Sequence, residues 1–169
     1  MTGSLPAAYR PLKLRARDEE DLTILSAHLQ DAIVPIVDVG FDAPSRRFVM
    51  VVNRFKWEAG AQEAENALGS DETDQEGRPR PVYLRTNCGV RIDGVTAVRC
   101  KGIDLKDRGR MLDLLALRFE AGTLILEFAG DAAIALSVRE IDIRIEDVGE
   151  AWPTTLRPEH RFEEGDGTA

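Results

Sequence analysis

The residues with the greatest chemical potential form the string Arg54-Phe55-Lys56-Trp57-Glu58, in which cations and aromatic rings alternate along a predicted strand. Such alternation can stack a flat ligand or a peptide, because the face of an aromatic ring attracts a cation. In the other interpretation the strand end is amphipathic, with Phe55 and Trp57 in the core and Arg54 and Lys56 solvated. The pattern favours this second interpretation, and the first keeps the string as a candidate binding site.

A second candidate site surrounds the first predicted helix. His28, Gln30 and Asp31 lie near its end, and with Arg54 and Glu58 they could line a polar pocket for a small molecule. His28 also lies at the flank of the apolar stripe of that helix, where a partly buried, satisfied imidazole is the simpler interpretation. No nucleophile motif accompanies it, so the sequence assigns no catalytic residue.

Trp152 is the last candidate binding residue. Followed by Pro153, it could pin the C-terminal tail to the body of the protein. It could also belong to an interface with a partner, where tryptophan is enriched. The first of these two interpretations is favoured.

Cofactor and metal motifs are not found in the sequence. It contains no glycine-rich phosphate loop, and the acidic run at 71–77 does not fit a calcium-binding loop. Cys88 and Cys100 have neither zinc nor redox spacing. A two-residue loop at Asp93-Gly94 would place Cys88 opposite Arg99, and a three-residue loop would place it opposite Cys100. We expect two buried free thiols, no cofactor and no metal.

The length predicts one domain over residues 1–169, and the lack of a targeting or membrane pattern predicts a cytoplasmic location. The 169 residues carry a net charge of −8, and seven acidic residues without a single Lys or Arg lie in 58–77. The rest of the chain is therefore nearly neutral, which argues against nucleic-acid binding. The start has no signal-peptide pattern, and no apolar run is long enough for a membrane helix. The insert at 58–81 and the tail after residue 160 are predicted to be disordered.

One helix is predicted, after a short strand at Leu12–Ala16. Asp18 is a suitable N-cap, and the acidic residues that follow it favour the positive end of a helix. Leu22, Leu25, Leu29 and Ile33 recur at helical spacing, and Pro35 should end the helix near Ile33.

Two hairpins are predicted next. Residues 36–41 and 47–57 form the first, and the second of these strands is apolar on both faces, so we expect the helix to cover one of them. Residues 82–92 alternate clearly between apolar and polar. Asp93-Gly94 is a strong turn signal, which predicts that 95–102 returns against 82–92.

A three-strand meander should form the centre of the fold. With a two-residue turn at Ala121-Gly122, Phe119 pairs with Leu124, Leu117 with Leu126 and Leu115 with Phe128. With a three-residue turn at 130–132, the same face continues through Ile134, Leu136 and Val138. Residues 140–148 could be a strand after a bend or a helix ended by Gly149, and their β-branched content favours the strand.

The fold class that follows is α+β, a mainly antiparallel sheet with one covering N-terminal helix. A barrel-like or PH-like curl of the sheet is a further option.

Several strings together resemble an uncharacterised family of bacterial, mainly alphaproteobacterial, proteins known only as domain of unknown function 2948. They are Pro11–Leu14, Glu20–Leu22, Ser26–Ala32, Arg47-Phe48, Asn53–Glu58, Gly94–Val98, Gly102–Asp104, Leu114–Phe119, Phe128–Gly130, Trp152–Thr154 and Arg157–His160. The resemblance spans residues 12–160. It implies a small cytoplasmic protein and no assigned activity.

The sequence therefore predicts a non-enzymatic binding or accessory module rather than an enzyme. Its partner would be another protein or a second copy of the chain, bound through exposed Arg54, Lys56, Trp57 and Trp152. A small-molecule enzyme or sensor, with its pocket near the first helix, is the alternative.

Overall fold

The computed structural model describes residues 11–56, 75–77 and 83–154, which contain ten strands and one α-helix. The elements are β1 (Lys13–Ala16), α1 (Glu19–Leu29), β2 (Ala32–Pro35), β3 (Val39–Asp42), β4 (Arg47–Phe55), β5 (Tyr83–Asp93), β6 (Val95–Lys101), β7 (Met111–Glu120), β8 (Thr123–Phe128), β9 (Ala132–Val138) and β10 (Ile143–Thr154). The predicted disorder at 58–81 and after residue 160 falls outside the described residues, except for a turn at 75–77.

All ten strands form one antiparallel sheet, which confirms the α+β prediction. Its order is β1-β10-β5-β4-β2-β7-β8-β9-β6, and β3 pairs with the first part of β4. The sheet is open, with β1 and β6 at its two ends. We call β1, β10, β5, β4 and β3 the first wing, and β2, β7, β8, β9 and β6 the second wing. The two wings meet where Ile33 of β2 pairs with Asn53 of β4.

The inner faces of both wings and one side of α1 share a single hydrophobic core. Strand alternation places every second residue on that inner face. Its large members include Phe48, Met50, Ile92, Leu114, Leu124, Leu126, Ile134, Leu136 and Ile145. Each such burial stabilises the fold by about 1.5–3 kcal/mol, so the core holds the two wings together.

The helix α1 begins as predicted and ends earlier than predicted. The Asp18 side chain accepts a hydrogen bond from the Asp21 amide at 2.8 Å, and Leu22, Leu25 and Leu29 are buried. The prediction that the helix continues to Ile33 is wrong. Asp31 has a φ of 62°, and the following residues form β2 because they pair with β7 over Ala32–Pro35.

The hairpin of β3 and β4 is confirmed, with Asp42 opposite Arg47. Residues 36–38, which were expected to begin its first strand, form a 3₁₀ turn instead. The expectation that α1 covers the second apolar face of β4 is also wrong. The helix packs on the core side, and Val49 and Val51 on the other face remain 41% and 40% exposed.

The predicted hairpin at Asp93-Gly94 is not formed, because both edges of β5 are already occupied by β4 and β10. Gly94, at a φ of 76°, turns the chain through a corner into β6, which pairs with β9. Both registers proposed for the cysteines therefore fail. Cys88 and Cys100 are free thiols as expected, but only Cys88 is buried.

The meander of β7, β8 and β9 is present, and its core face is the predicted one. Phe119 pairs with Leu124, and Leu117 with Leu126, as expected. A bulge then places Leu114 opposite Phe128, so Leu115 is exposed. The next turn comes earlier than predicted, which pairs Leu126 with Ile134. This slip is two residues long, so every side chain keeps its face.

Residues 143–154 form β10, so the strand interpretation of this region is confirmed. The bend at 139–140 carries the chain from the second wing to the first, where β10 lies between β1 and β5. In the part of the chain that is described, no helix combines the length and the apolar character needed to cross a membrane.

Candidate functional site

The outer face of the first wing, which points away from the core, contains a groove of about 660 Å³. We call it the basic groove. Strand alternation brings every second residue to this face, and the antiparallel register aligns those residues in rows across the strands. Its charged lining residues are Lys13, Arg15, Asp38, Arg91, Arg144 and Glu146.

Three arginines lie side by side in one of these rows. Arg15 of β1 is opposite Arg144 of β10, and Arg144 is opposite Arg91 of β5. Directly opposed like charges destabilise a sheet, so nearby anions would stabilise this row.

The two outer arginines of the row have such anions within the protein. Arg15 binds Asp142 at 3.1 Å, and the Nε atom of Arg91 donates to Asp93 at 2.9 Å. Arg144 lies between them and makes neither a hydrogen bond nor an ion pair with any described residue. Its guanidinium is therefore available to an anionic ligand.

Asp93 fixes one end of the row. Arg47 donates to its Oδ1 atom at 3.1 Å, and Arg91 donates to its Oδ2 atom. Partial burial by itself would raise the pKa of Asp93, but the hydrogen bonds and charges of the two arginines outweigh it and hold the pKa below its usual range. Asp93 is thus ionised at neutral pH and orients Arg91.

The floor of the basic groove is apolar. Val49, Val51 and Val148 all line it, although each is at least 40% exposed. Gly89 lies between them in β5 without a positive φ, and a Cβ there would meet only the Glu146 carbonyl oxygen, at 3.7 Å. Neither backbone conformation nor crowding requires this glycine. A glycine inside a strand often marks a place where a ligand or another backbone approaches closely.

A second cavity of about 400 Å³ adjoins the basic groove, because Asp38 and Val51 line both. We call it the amide cleft. It crosses from β4 to β2 and β7, and its remaining lining residues are Ile33, Pro35, Val52, Asn53, Asn87, Met111 and Asp113. Asn87 lies directly opposite Asn53, so two carboxamides form the middle of the cleft.

Arg85 borders the amide cleft on β5. It donates to the Asn53 side-chain oxygen at 2.6 Å and lies 3.8 Å above the Phe55 ring centre. Burial lowers the pKa of the Arg85 guanidinium, and the negative charges of Asp113 and Asp31 oppose that shift. Arg85 is therefore held in place by a ring and an amide, and it remains a cation.

The predicted candidates Arg54 and Lys56 lie on the opposite, inner face. Arg54 forms two parallel hydrogen bonds to Asp147, at 2.8 Å and 2.7 Å, and a third to the Phe55 carbonyl oxygen. The Lys56 Nζ atom lies 3.6 Å from the same carboxylate. Both side chains are buried, so the prediction of solvated or ligand-exposed cations is wrong. A paired charge can be buried where an isolated one cannot.

Asp147 also holds the first strand in place. Its carboxylate accepts a hydrogen bond from the Leu12 amide at 2.8 Å, and its own amide donates to the Leu12 carbonyl oxygen. Burial would raise the pKa of Asp147, but the hydrogen bonds from Arg54 and Leu12, with the charge of Lys56, hold it below its ordinary value. The cluster of Asp147, Arg54 and Lys56 therefore stabilises the end of the first wing that carries β1.

Cys88 lies beside this cluster and is not a candidate nucleophile. Burial, with the negative charge of Asp147, raises the pKa of its thiol to about 12. The reactive form of cysteine is the thiolate, so Cys88 remains protonated and inert at neutral pH.

The other predicted site residues lie around the end of α1. His28 is half-buried in the last turn of α1, Gln30 is exposed, and Asp31 is half-buried, with its charge acting on Arg85. Neither the basic groove nor the amide cleft is lined by any of them, or by Arg54. Trp57 and Glu58 lie outside the described residues.

Trp152 is half-buried on β10, opposite Arg85. Its position is on the first wing.

The residues of the basic groove were missed as a site, although the sequence placed some of them on a polar face. Lys13 and Arg15 belong to the predicted strand Leu12–Ala16, and Arg91 lies on the polar side of the alternating segment 82–92. No local signal connects Arg15, Arg91 and Arg144, since three distant segments carry them. Their register in the sheet is the only feature that brings them together.

The side chains that line both cavities are suited to the recognition of a charged or polar ligand. Neither lining contains Ser, Thr, Cys, His or Tyr, the side chains that act most often as nucleophiles or proton carriers. Among the described residues no group of three or more His, Cys, Asp or Glu could hold a metal ion. The linings offer guanidinium, ammonium, carboxamide and carboxylate groups around apolar side chains.

Comparison with known proteins gives one match. A family model described as a protein of unknown function (DUF2948) matches residues 12–160, which confirms the resemblance inferred from the sequence. The search found no match among curated proteins and none among solved structures.

Proposed function

We propose, from the premise that this chain belongs to the DUF2948 family of proteins of unknown function, that it is a non-enzymatic binding module. Its ligand occupies the basic groove and carries an anionic group next to an apolar part. The anionic group binds Arg144, and the apolar part packs on Val49 and Val51. All groove residues lie within the matched range of 12–160.

The observation that carries this proposal is the middle position of Arg144. Two neighbouring arginines repel it, and each of them has a carboxylate that Arg144 does not share. An anion bound to Arg144 would complete the row. Hydrogen bonds between charged groups contribute about 1.5–3 kcal/mol, which is enough to select an anionic ligand over a neutral one.

The exposed apolar floor supports the same proposal. Neighbouring exposed apolar side chains such as Val49, Val51 and Val148 are typical of a ligand-binding groove. Gly89 keeps the centre of the floor open, where a larger side chain would fit without a backbone clash. The groove thus combines a charged wall with an apolar floor, the usual composition of a ligand site.

The test uses naphthalene-1-sulfonate as a probe, and its neutral counterpart 1-naphthalenemethanol as the matched ligand. Nuclear magnetic resonance of the ¹⁵N-labelled full chain follows both titrations. We expect the sulfonate to shift the amides of Gly89, Arg144 and Val51, and the alcohol to shift them weakly. Arg144→Gln should weaken sulfonate binding about tenfold, the equivalent of about 1.4 kcal/mol.

Arg99→Gln is the matched control, because Arg99 is exposed on β6 of the second wing. It should leave the affinity unchanged. Equal losses of sulfonate affinity in Arg144→Gln and Arg99→Gln would overturn the proposal. Amide shifts that lie outside the groove at all probe concentrations would overturn it as well.

We propose further that the protein is cytoplasmic and that its partner is another protein. Two free cysteines in the folded chain are typical of a reducing compartment. Fractionation of the native host cell, with detection by antibody, tests the location directly.

A further inference from the structure

We infer that the ligand of the basic groove is an extended peptide segment of another protein, acidic at one end and basic at the other, which continues into the amide cleft. This inference rests on the proposed function and adds the class of ligand. It requires that the two cavities form one path and that their charges have opposite sign.

The two cavities form one continuous path across the sheet. Val51 and Asp38 line both, so a ligand that reaches Val51 from the basic groove is already at the entrance of the amide cleft. Beyond that point Met111 is 63% exposed and continues the apolar floor.

The charges change sign along this path. Among the described residues, four cations and two carboxylates line the basic groove, whereas the charged residues that line the amide cleft are Asp38 and Asp113. The Asp113 carboxylate makes no hydrogen bond or ion pair with a described residue, although it is close enough to act on the charge of Arg85. A ligand that is acidic throughout fits the first cavity alone.

The length of the path fits a peptide better than a small metabolite. From Arg91 the path runs four residues along β5 to Asn87. It then crosses three strand spacings to Asp113, through the pairs Asn87–Asn53, Asn53–Ile33 and Ile33–Asp113. With strands about 4.8 Å apart and about 3.4 Å per residue, the diagonal is roughly 20 Å. An extended peptide covers that distance with about six residues, and every second side chain would face the sheet.

The middle of the path has the chemistry of a peptide-binding surface. Asn87 is exposed, and its carboxamide makes no hydrogen bond with the residues described. A carboxamide donates and accepts, as a peptide group does, so it can pair with a main chain that crosses it. The adjacent Val51 and Ile33 can pack on apolar side chains.

The experiment measures the affinity of the full chain for the heptapeptide acetyl-Glu-Thr-Val-Thr-Val-Thr-Lys-amide and for its reversed sequence, by calorimetry. Two analogues serve as matched ligands, one with Lys replaced by norleucine and one with Glu replaced by Gln. In one of the two orientations the dipolar peptide should bind at least tenfold more tightly than either analogue.

Variants separate the two ends of the site. Asp113→Asn should remove the advantage of the dipolar peptide over the norleucine analogue and leave naphthalene-1-sulfonate binding unchanged. Arg144→Gln should weaken the peptide and the sulfonate alike. Asp107→Asn, in the exposed loop before β7, is the control and should change neither affinity.

Two results would overturn this inference while the proposed function stands. One is that the sulfonate binds at Arg144 while the chain binds all the peptides with equal affinity or binds none of them. The other is a self-associated chain, seen by sedimentation, whose dimer is dissociated by Asp113→Asn. Loss of sulfonate binding as well would show that the proposed function itself has failed.

Discussion

At the scale of single residues, Asp147 shows how two cations can be buried beneath a sheet. Its carboxylate is bound by the Arg54 guanidinium, by the Leu12 amide and by the charge of Lys56. Burial of a charge is costly, and a carboxylate with several donors offsets that cost better than one with a single partner. The same contacts attach β1 to the first wing, and β1 provides Lys13 and Arg15 to the basic groove.

Asp147→Asn should therefore lower the free energy of unfolding by about 3–5 kcal/mol, because it removes the carboxylate of a buried ion pair. Urea denaturation followed by circular dichroism measures the loss. Asp131→Asn is the control, since its ion pair with Lys101 is mostly exposed and should contribute less than about 1 kcal/mol. Similar losses in both variants would contradict the assignment.

The stability should also depend on pH in a direction set by Asp147. Its pKa is lowered on folding, so its contribution is complete above the pKa of the unfolded chain, about pH 4, and is lost as the pH falls through the folded value. Asp93 contributes in the same direction.

Urea unfolding between pH 7 and pH 3 measures this dependence, and Asp147→Asn should give a shallower acid limb than the unchanged chain. Parallel curves for the two proteins would show that Asp147 does not contribute.

At the scale of elements, the turn between β7 and β8 contains a local strain. Ala121 has a φ of 47° and Gly122 a φ of 77°, the conformation of a two-residue hairpin turn in which both residues are left-handed. Glycine adopts it freely, whereas alanine is disfavoured there by about 1–2 kcal/mol. The strong register of the meander keeps Ala121 in this conformation.

Ala121→Asn should raise the free energy of unfolding by about 1 kcal/mol, because asparagine tolerates this conformation better than alanine. In a thermal melt that gain corresponds to about 2–4 °C for a chain of this size. Ala129→Asn is the control, since Ala129 lies in an exposed turn without a positive φ. A gain of equal size in Ala129→Asn would show that the added asparagine itself, rather than the left-handed conformation of residue 121, causes the effect.

At the scale of the whole molecule, the two faces of the first wing have opposite effects on stability. The inner face stabilises the fold, and the outer face contains features that destabilise it. The inner face is closely packed, while the outer face aligns three like charges and keeps a glycine inside a strand. Both outer features weaken a sheet. Binding sites are the places where a fold retains such unfavourable features, because the ligand completes them.

Arg144→Gln and Gly89→Val should each stabilise the chain without ligand, by up to about 1 kcal/mol, while they weaken probe binding. The gain from Arg144→Gln should shrink in 1 M salt, because salt screens repulsion between exposed charges. The gain from Gly89→Val should not change with salt. Thermal melts at low and high salt measure both.

A loss of stability in either variant would assign that residue a structural role instead.

The sequence alone determined what depends on neighbours along the chain. Alternation identified the strands and their core faces, Asp18 marked the start of α1, and Ala121-Gly122 marked a turn. Each of these follows from local geometry, a period of two in strands and a cap or turn at a given residue. The family was also recognisable from short strings of residues.

The tertiary structure alone decided which strands became neighbours. A turn signal at Gly94 cannot show that β5 already has two partners, so β6 was assigned to the wrong strand. In the same way, Arg15, Arg91 and Arg144 form a row only because β1, β10 and β5 are adjacent. Strand pairing results from competition among all strands for edges and for burial in one core, and no local segment contains that information.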